Sequence, residues 1–81
     1  MNITVNLFYN LKEKVGTNQL RFDIPVGSNI HDLKQALIKG YPALQSNLDN
    51  IMVLINQKIS LDEDSIPANA QVSFLTPIGG G

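Results

Sequence analysis

At 81 residues, 43% of them hydrophobic, the chain makes a single domain with a modest core. A chain of this size buries only about 60% of the surface its unfolded form exposes, which leaves little room for a deep, self-contained active site. Six Lys and Arg against seven Asp and Glu give a net charge of −1. Nucleic acid is thereby disfavoured as a partner, and the absence of cysteine removes disulfides, thiolate metal sites and thiol nucleophiles.

Residues 3–9 alternate, with Ile3, Val5 and Leu7 on one face and Thr4, Asn6 and Phe8 on the other. Period two over β-favouring residues predicts a strand. Residues 11–15 are expected to form a loop or a single helical turn, and Gly16-Thr17-Asn18 supplies turn chemistry. Leu20, Phe22 and Ile24 resume the alternation. The two strands are expected to pair antiparallel across a wide connection.

Pro25-Val26-Gly27 ends the second strand, and a helix starts at Asn29. Asn29 as N-cap places Asp32 at N3, a variant of the capping box. Ile30, Leu33 and Leu37 recur at helical spacing, Gly40 suits the C′ position and Pro42 enforces the stop. Pro42 can open a second, shorter helix, in which Leu44 and Leu48 share a face. Residues 51–55 are continuously apolar, which predicts a central strand buried on both faces. This is also the longest apolar run, far short of a membrane span. Asn56-Gln57 is a turn, residues 58–61 return as a short strand, and Asp62-Glu63-Asp64 is a solvated acidic loop. Asn69 marks another turn by its tolerance of left-handed backbone. Residues 71–76 form the last strand, with Val72, Phe74 and Thr76 on one face and Ser73 and Leu75 on the other. The order predicts an α+β architecture in two layers: one main helix packed on a mixed five-stranded sheet, plus a short second helix.

The chain closes on Pro77-Ile78-Gly79-Gly80-Gly81. At ordinary glycine usage, three terminal glycines arise by chance about once in 3,000 chains. A terminal carboxylate is a reactive group that can be threaded into another protein's pocket. Glycine has no Cβ, so such a tail passes a narrow channel and takes any backbone angle, while Pro77 stiffens its base. The carboxylate can attack ATP to give an acyl-adenylate, which a sulfur donor or an amine then captures. With no cysteine in the chain, carried sulfur would sit on Gly81 itself as a thiocarboxylate.

Three segments carry a family likeness along the whole chain. They are residues 5–16, Val-Asn-Leu-Phe-Tyr-Asn-Leu-Lys-Glu-Lys-Val-Gly; residues 53–57, Val-Leu-Ile-Asn-Gln; and residues 72–81, Val-Ser-Phe-Leu-Thr-Pro-Ile-Gly-Gly-Gly. The sequence resembles the ubiquitin-like β-grasp sulfur carriers of the MoaD/ThiS family, and within it the small subunit of molybdopterin synthase. It departs from the family pattern at Lys12, where Arg is usual, at Ala68-Asn69-Ala70, and at Thr76, which replaces the first proline of the closing motif. The resemblance implies a β-grasp domain over residues 1–76 and a flexible Gly-Gly tail over 77–81.

It also implies a mechanism. A ubiquitin-activating-like adenylyltransferase, using ATP and Mg, adenylates Gly81. A sulfurtransferase makes the thiocarboxylate, and the tail (Pro77, Ile78, Gly79, Gly80) inserts into the large catalytic subunit. Sulfur passes there to cyclic pyranopterin monophosphate, within a heterotetramer whose catalytic groups belong to the large subunit. This chain is expected to bind no cofactor or metal itself, to contact neither nucleic acid nor membrane, and to work in the cytoplasm, since no basic leader precedes the first strand. The same adenylate chemistry also fits a carrier for the thiazole of thiamin or a protein modifier. The thiamin carriers are usually shorter and lack a segment like 41–50.

Phe8, Phe74 and Leu75 are the expected partner interface, with one of the last two residues facing outward beside Ile78. His31 is expected to be an exposed surface residue. Lys12, Lys14 and Lys58 are expected to line one edge, where they could steer an acidic partner.

Overall fold

A computed structural model describes residues 1–8, 10–48 and 51–75. Tyr9, Asp49, Asn50 and residues 76–81 lie outside that set. The expected tail, its boundary after residue 76 and the expected strand ends at Tyr9 and Thr76 therefore lie outside the described residues as well.

The elements run β1 (Asn2–Leu7), α1 (Asn10–Val15), β2 (Gln19–Asp23), α2 (Ile30–Gly40), a 3₁₀ turn (Pro42–Leu44), β3 (Met52–Ile55), β4 (Lys58–Ser60) and β5 (Gln71–Leu75). The strands form one sheet in the order β2-β1-β5-β3-β4. β1 pairs antiparallel with β2 and parallel with β5, and β3 pairs antiparallel with both β5 and β4. This is the expected mixed five-stranded sheet carrying one main helix.

One face of the sheet is covered and the other is open. Ile3, Val5 and Leu7 of β1, Val72 and Phe74 of β5, and Val53 and Ile55 of β3 are buried against Ile30, Leu33 and Leu37 of α2. Leu44 and Leu48, from the segment after α2, complete the same cluster, as do Leu11 of α1 and Ile66. The period-two alternation of the strands and the helical spacing of α2 place their apolar side chains in this one layer.

The expected capping box is present. The Asn29 side chain accepts from the Asp32 N–H at 2.8 Å, and the Asp32 carboxylate accepts from the Asn29 N–H at 3.1 Å. The loop after β4 also feeds this helix end: Ile30 and His31 N–H groups donate to the Asp64 and Asp62 carbonyls. Asn56 and Gln57 both have positive φ, 49° and 71°, and Asn69 has 60°. The β3–β4 connection is thus the tight hairpin that residues 56–57 suggest.

Several expectations are resolved or corrected. Of the two readings open for residues 11–15, a loop or a helical turn, the structure takes the helical one: α1 covers Asn10–Val15, with Leu11 fully buried. Gly40 is the last helical residue, not a left-handed cap; the helix is closed by the Tyr41 N–H donating to the Leu37 carbonyl at 2.7 Å. The second helix is only a 3₁₀ turn. β3 is not buried on both faces: Val53 and Ile55 point into the core while Met52 and Leu54 lie on the open face. Among the described residues, the one main helix covers only one side of the sheet. β3 does lie inside the sheet, between β5 and β4, and the middle strand is β5.

Candidate carrier site at the end of β5

Leu75 is the last residue of β5, the middle strand of the sheet. The register names the neighbours of that point. Phe74 lies opposite Leu7 of β1, and Leu75 lies opposite Met52 of β3. Alternation sends Phe74 inward and Leu75 to the open face.

Phe74 is completely buried and is therefore part of the core, which corrects its expected place in the partner interface. A Phe at this register fills the space beneath α2 and has no surface to offer. Leu75 is half-buried on the open side, and Phe8 is 41% exposed just past β1. Those two expected interface residues do reach the surface.

The open face adds apolar residues that the sequence reading missed. Met52 is 41% exposed beside Leu75, and Leu54 lies opposite Ile59 of β4, which is 73% exposed. Ile59, Leu54, Met52 and Leu75 make an apolar run across three strands, ending where β5 ends. The continuous apolar stretch 51–55 concealed it. The signal that could have revealed it was the lack of a second helix long enough to cover the far side of the sheet.

Towards β2 the open face turns polar. The Gln19 Nε2 donates to Asn6 Oδ1 at 3.1 Å, and Asn6 Nδ2 donates to Gln71 Oε1 at 3.3 Å and to Ser73 Oγ at 3.4 Å. Shallow depressions of about 400 and 460 Å³ flank Phe8, lined chiefly by these carboxamides. Neither contains an acid–base pair.

The remaining sequence candidates do not join this site. His31 is exposed on the first turn of α2. Asp62 pairs with Lys34 at 2.7 Å, and the Asp64 carboxylate accepts from the Leu61 N–H at 2.7 Å, so the acidic loop secures its own geometry and the start of α2. Lys12, Lys14 and Lys58 do not share an edge: the first two lie on α1, with Lys14 donating to Asn47 Oδ1, and Lys58 opens the edge strand β4. Among the described residues, no group of three His, Asp or Glu side chains converges to hold a metal, and no helix is long and apolar enough to cross a membrane. Gly81, Gly80, Gly79, Ile78 and Pro77 lie outside the described residues.

A small mixed sheet gripping one helix, with an apolar run on its open face, defines a ubiquitin-like domain. The chain belongs to the ThiS family, whose model matches residues 5–81, and it is a ubiquitin-like sulfur carrier of the MoaD/ThiS type.

It is 28% identical over 83 residues to the molybdopterin synthase sulfur carrier subunit of Chlamydomonas reinhardtii, covering 100% of both chains. It is likewise 28% identical over 83 residues to the small archaeal modifier protein 1 of Haloferax volcanii, covering 93% of this chain and 95% of that one. The crystal structure of that modifier matches with a TM-score of 0.89 at 26% identity, covering 100% of each chain. A complex of subunits 1 and 2 of the molybdopterin-converting factor from Helicobacter pylori contains the same fold, with a TM-score of 0.71, 17% identity and full coverage of both chains.

Proposed function

We propose that this chain is the sulfur carrier of molybdenum cofactor synthesis, with the Gly81 carboxylate as the group that carries sulfur. The observation behind this reading is the family match, which extends to residue 81 and so includes the Gly79-Gly80-Gly81 ending. The likeness to a molybdopterin synthase sulfur carrier along the full length of both chains supports the pathway.

The Gly81 carboxylate attacks the α-phosphorus of ATP on an adenylyltransferase related to ubiquitin-activating enzymes, and pyrophosphate leaves. Mg held by that enzyme offsets the phosphate charge. A sulfurtransferase then delivers sulfur at the sulfide oxidation level, which attacks the acyl carbon of the mixed anhydride as AMP leaves. The thiocarboxylate enters the large subunit of molybdopterin synthase, guided by Pro77 and passing on Gly79 and Gly80, which have no Cβ to obstruct a narrow channel. There it gives its sulfur to cyclic pyranopterin monophosphate, water supplies the oxygen that takes the sulfur's place at the acyl carbon, and the carrier returns as a carboxylate. Leu75, Met52 and Phe8 dock beside the channel mouth, a role suited to exposed apolar side chains grouped at one place. The two kinds of subunit form a heterotetramer in the cytoplasm.

The test is the intact mass of the chain after incubation with ATP, a molybdopterin-pathway adenylyltransferase and a sulfur source. The expected result is a gain equal to exchange of one oxygen for sulfur at Gly81, lost again on adding the large subunit and the pterin precursor. An unchanged mass in a folded chain would overturn the reading.

The match to a small archaeal modifier protein favours one alternative. The same adenylate, captured by a lysine amine, would join Gly81 to target proteins through an isopeptide bond. Adducts of this chain on lysines in cells, found without sulfur loading, would favour that reading. Loading by the enzymes of the thiamin system alone would instead assign the carrier to thiazole synthesis.

A further inference from the structure

We propose that the open edge of β2 is a self-association surface, through which two copies pair antiparallel and continue the sheet from one chain into the other. The proposal stands independently of the carrier reading.

Among the described residues, β2 is the terminal strand on its side of the sheet, bonded only to β1. Its hydrogen-bonding phase is fixed at both ends. Ile24 and Met1 exchange N–H···O bonds of 2.9 and 2.6 Å, and the Leu7 N–H donates to the Asn18 carbonyl at 2.9 Å. Antiparallel pairs alternate between bonded and non-bonded. Residues 18, 20, 22 and 24 therefore turn their main chain towards β1, and Gln19, Arg21 and Asp23 turn theirs to the open edge.

Edges are often protected by charge, but one sign is needed to repel a copy. Here the signs alternate: Arg21 and Asp23 are two residues apart, both exposed and both on the open face. In an antiparallel pairing, placing Arg21 opposite Asp23 of a second copy places Asp23 opposite that copy's Arg21. Each of those pairs exchanges two main-chain hydrogen bonds and aligns opposite charges. Moving the register by one two-residue step, to put Arg21 opposite Arg21, would set like charges together.

In the favoured register the half-buried Phe22 meets its own copy on the two-fold axis, in a non-bonded pair where side chains approach most closely. The Asp23 carboxylate already touches the Met1 amino group through Oδ1 at 3.1 Å, yet its side chain is 81% exposed, so its second oxygen is open to the partner copy's arginine. The pairing is isologous and closes as a dimer. β5 lies two strands away, so the contact leaves that strand and its apolar neighbours untouched.

The test is sedimentation of the full chain over a concentration series, with Arg21→Asp, Asp23→Arg and their equimolar mixture. Circular dichroism confirms that each variant is folded. The wild type should dimerise reversibly. Each variant alone should dimerise at least tenfold more weakly, because all its cross-strand charges become alike. The mixture should restore dimers, because the two acidic side chains on one variant's edge then face the two basic side chains on the other's. A wild type that stays monomeric at millimolar concentration overturns the proposal and leaves this edge to an unlike strand. A dimer indifferent to both variants, or a mixture that does not recover, also overturns it.

Discussion

Phe74 and Leu75 are neighbours in the chain and opposites in environment. Phe74 is sealed beneath α2, whereas Leu75 is half-buried on the open sheet face. Phe74→Ala should therefore cost about 3–5 kcal/mol, since the cavity adds to the lost transfer energy; urea denaturation measures it. Leu75→Asp should change stability far less and act on docking instead. A pull-down with the large subunit should lose the complex while the melting curve is nearly kept. The hairpin offers a change in the other direction. Gln57 holds φ at 71°, a region that costs a side-chain-bearing residue roughly 1–2 kcal/mol. Gln57→Gly removes that strain and gives back part of it as unfolded-chain entropy. The expected net gain is about 0.5–1 kcal/mol, visible as a higher melting temperature.

Among the elements, α2 owes its starting point to side chains its own sequence supplies. Asn29 and Asp32 satisfy each other's main-chain N–H groups, and Asp32 also sits at the positive end of the helix dipole. Asn29→Ala should lose about 1 kcal/mol by denaturant titration. The Lys34–Asp62 pair ties the acidic loop to the same helix end at 2.7 Å, with Asp62 53% exposed. Exposure on that side screens the pair, so Asp62→Asn should cost no more than about 1 kcal/mol. The sheet has a comparable division of labour. β3 faces the core through Val53 and Ile55 and the open side through Met52 and Leu54, so a strand of only four residues serves both stability and the proposed docking.

For the whole molecule, the decisive arrangement is a central strand that ends beside an apolar face. Stability comes from the layer beneath α2, and the proposed chemistry belongs to residues beyond β5, so the two should separate cleanly. Deleting Gly80-Gly81, or adding one residue after Gly81, should abolish sulfur loading while leaving the unfolding transition unchanged. Intact mass and thermal melting of the same samples check both halves of that expectation. A simple binding module would keep its partner after the deletion.

Much of this was written in local pattern. Alternation in β1, β2 and β5, the capping box at Asn29, the left-handed Asn69 and the glycine ending depend on a few adjacent residues, and each is legible from physical chemistry acting over short range. Three outcomes were not local. Residues 51–55 are apolar throughout, and only their pairing with β4 and β5, under a single main helix, decided that Met52 and Leu54 would face outward. Leu11 turned its segment into a helix because the core had a place for it. Phe74 and Leu75 are both large and apolar, so either could have been the surface residue. The choice between them was set by register against Leu7 and Met52, strands brought together from distant parts of the chain, because in a sheet a shift of one residue exchanges the faces of every side chain.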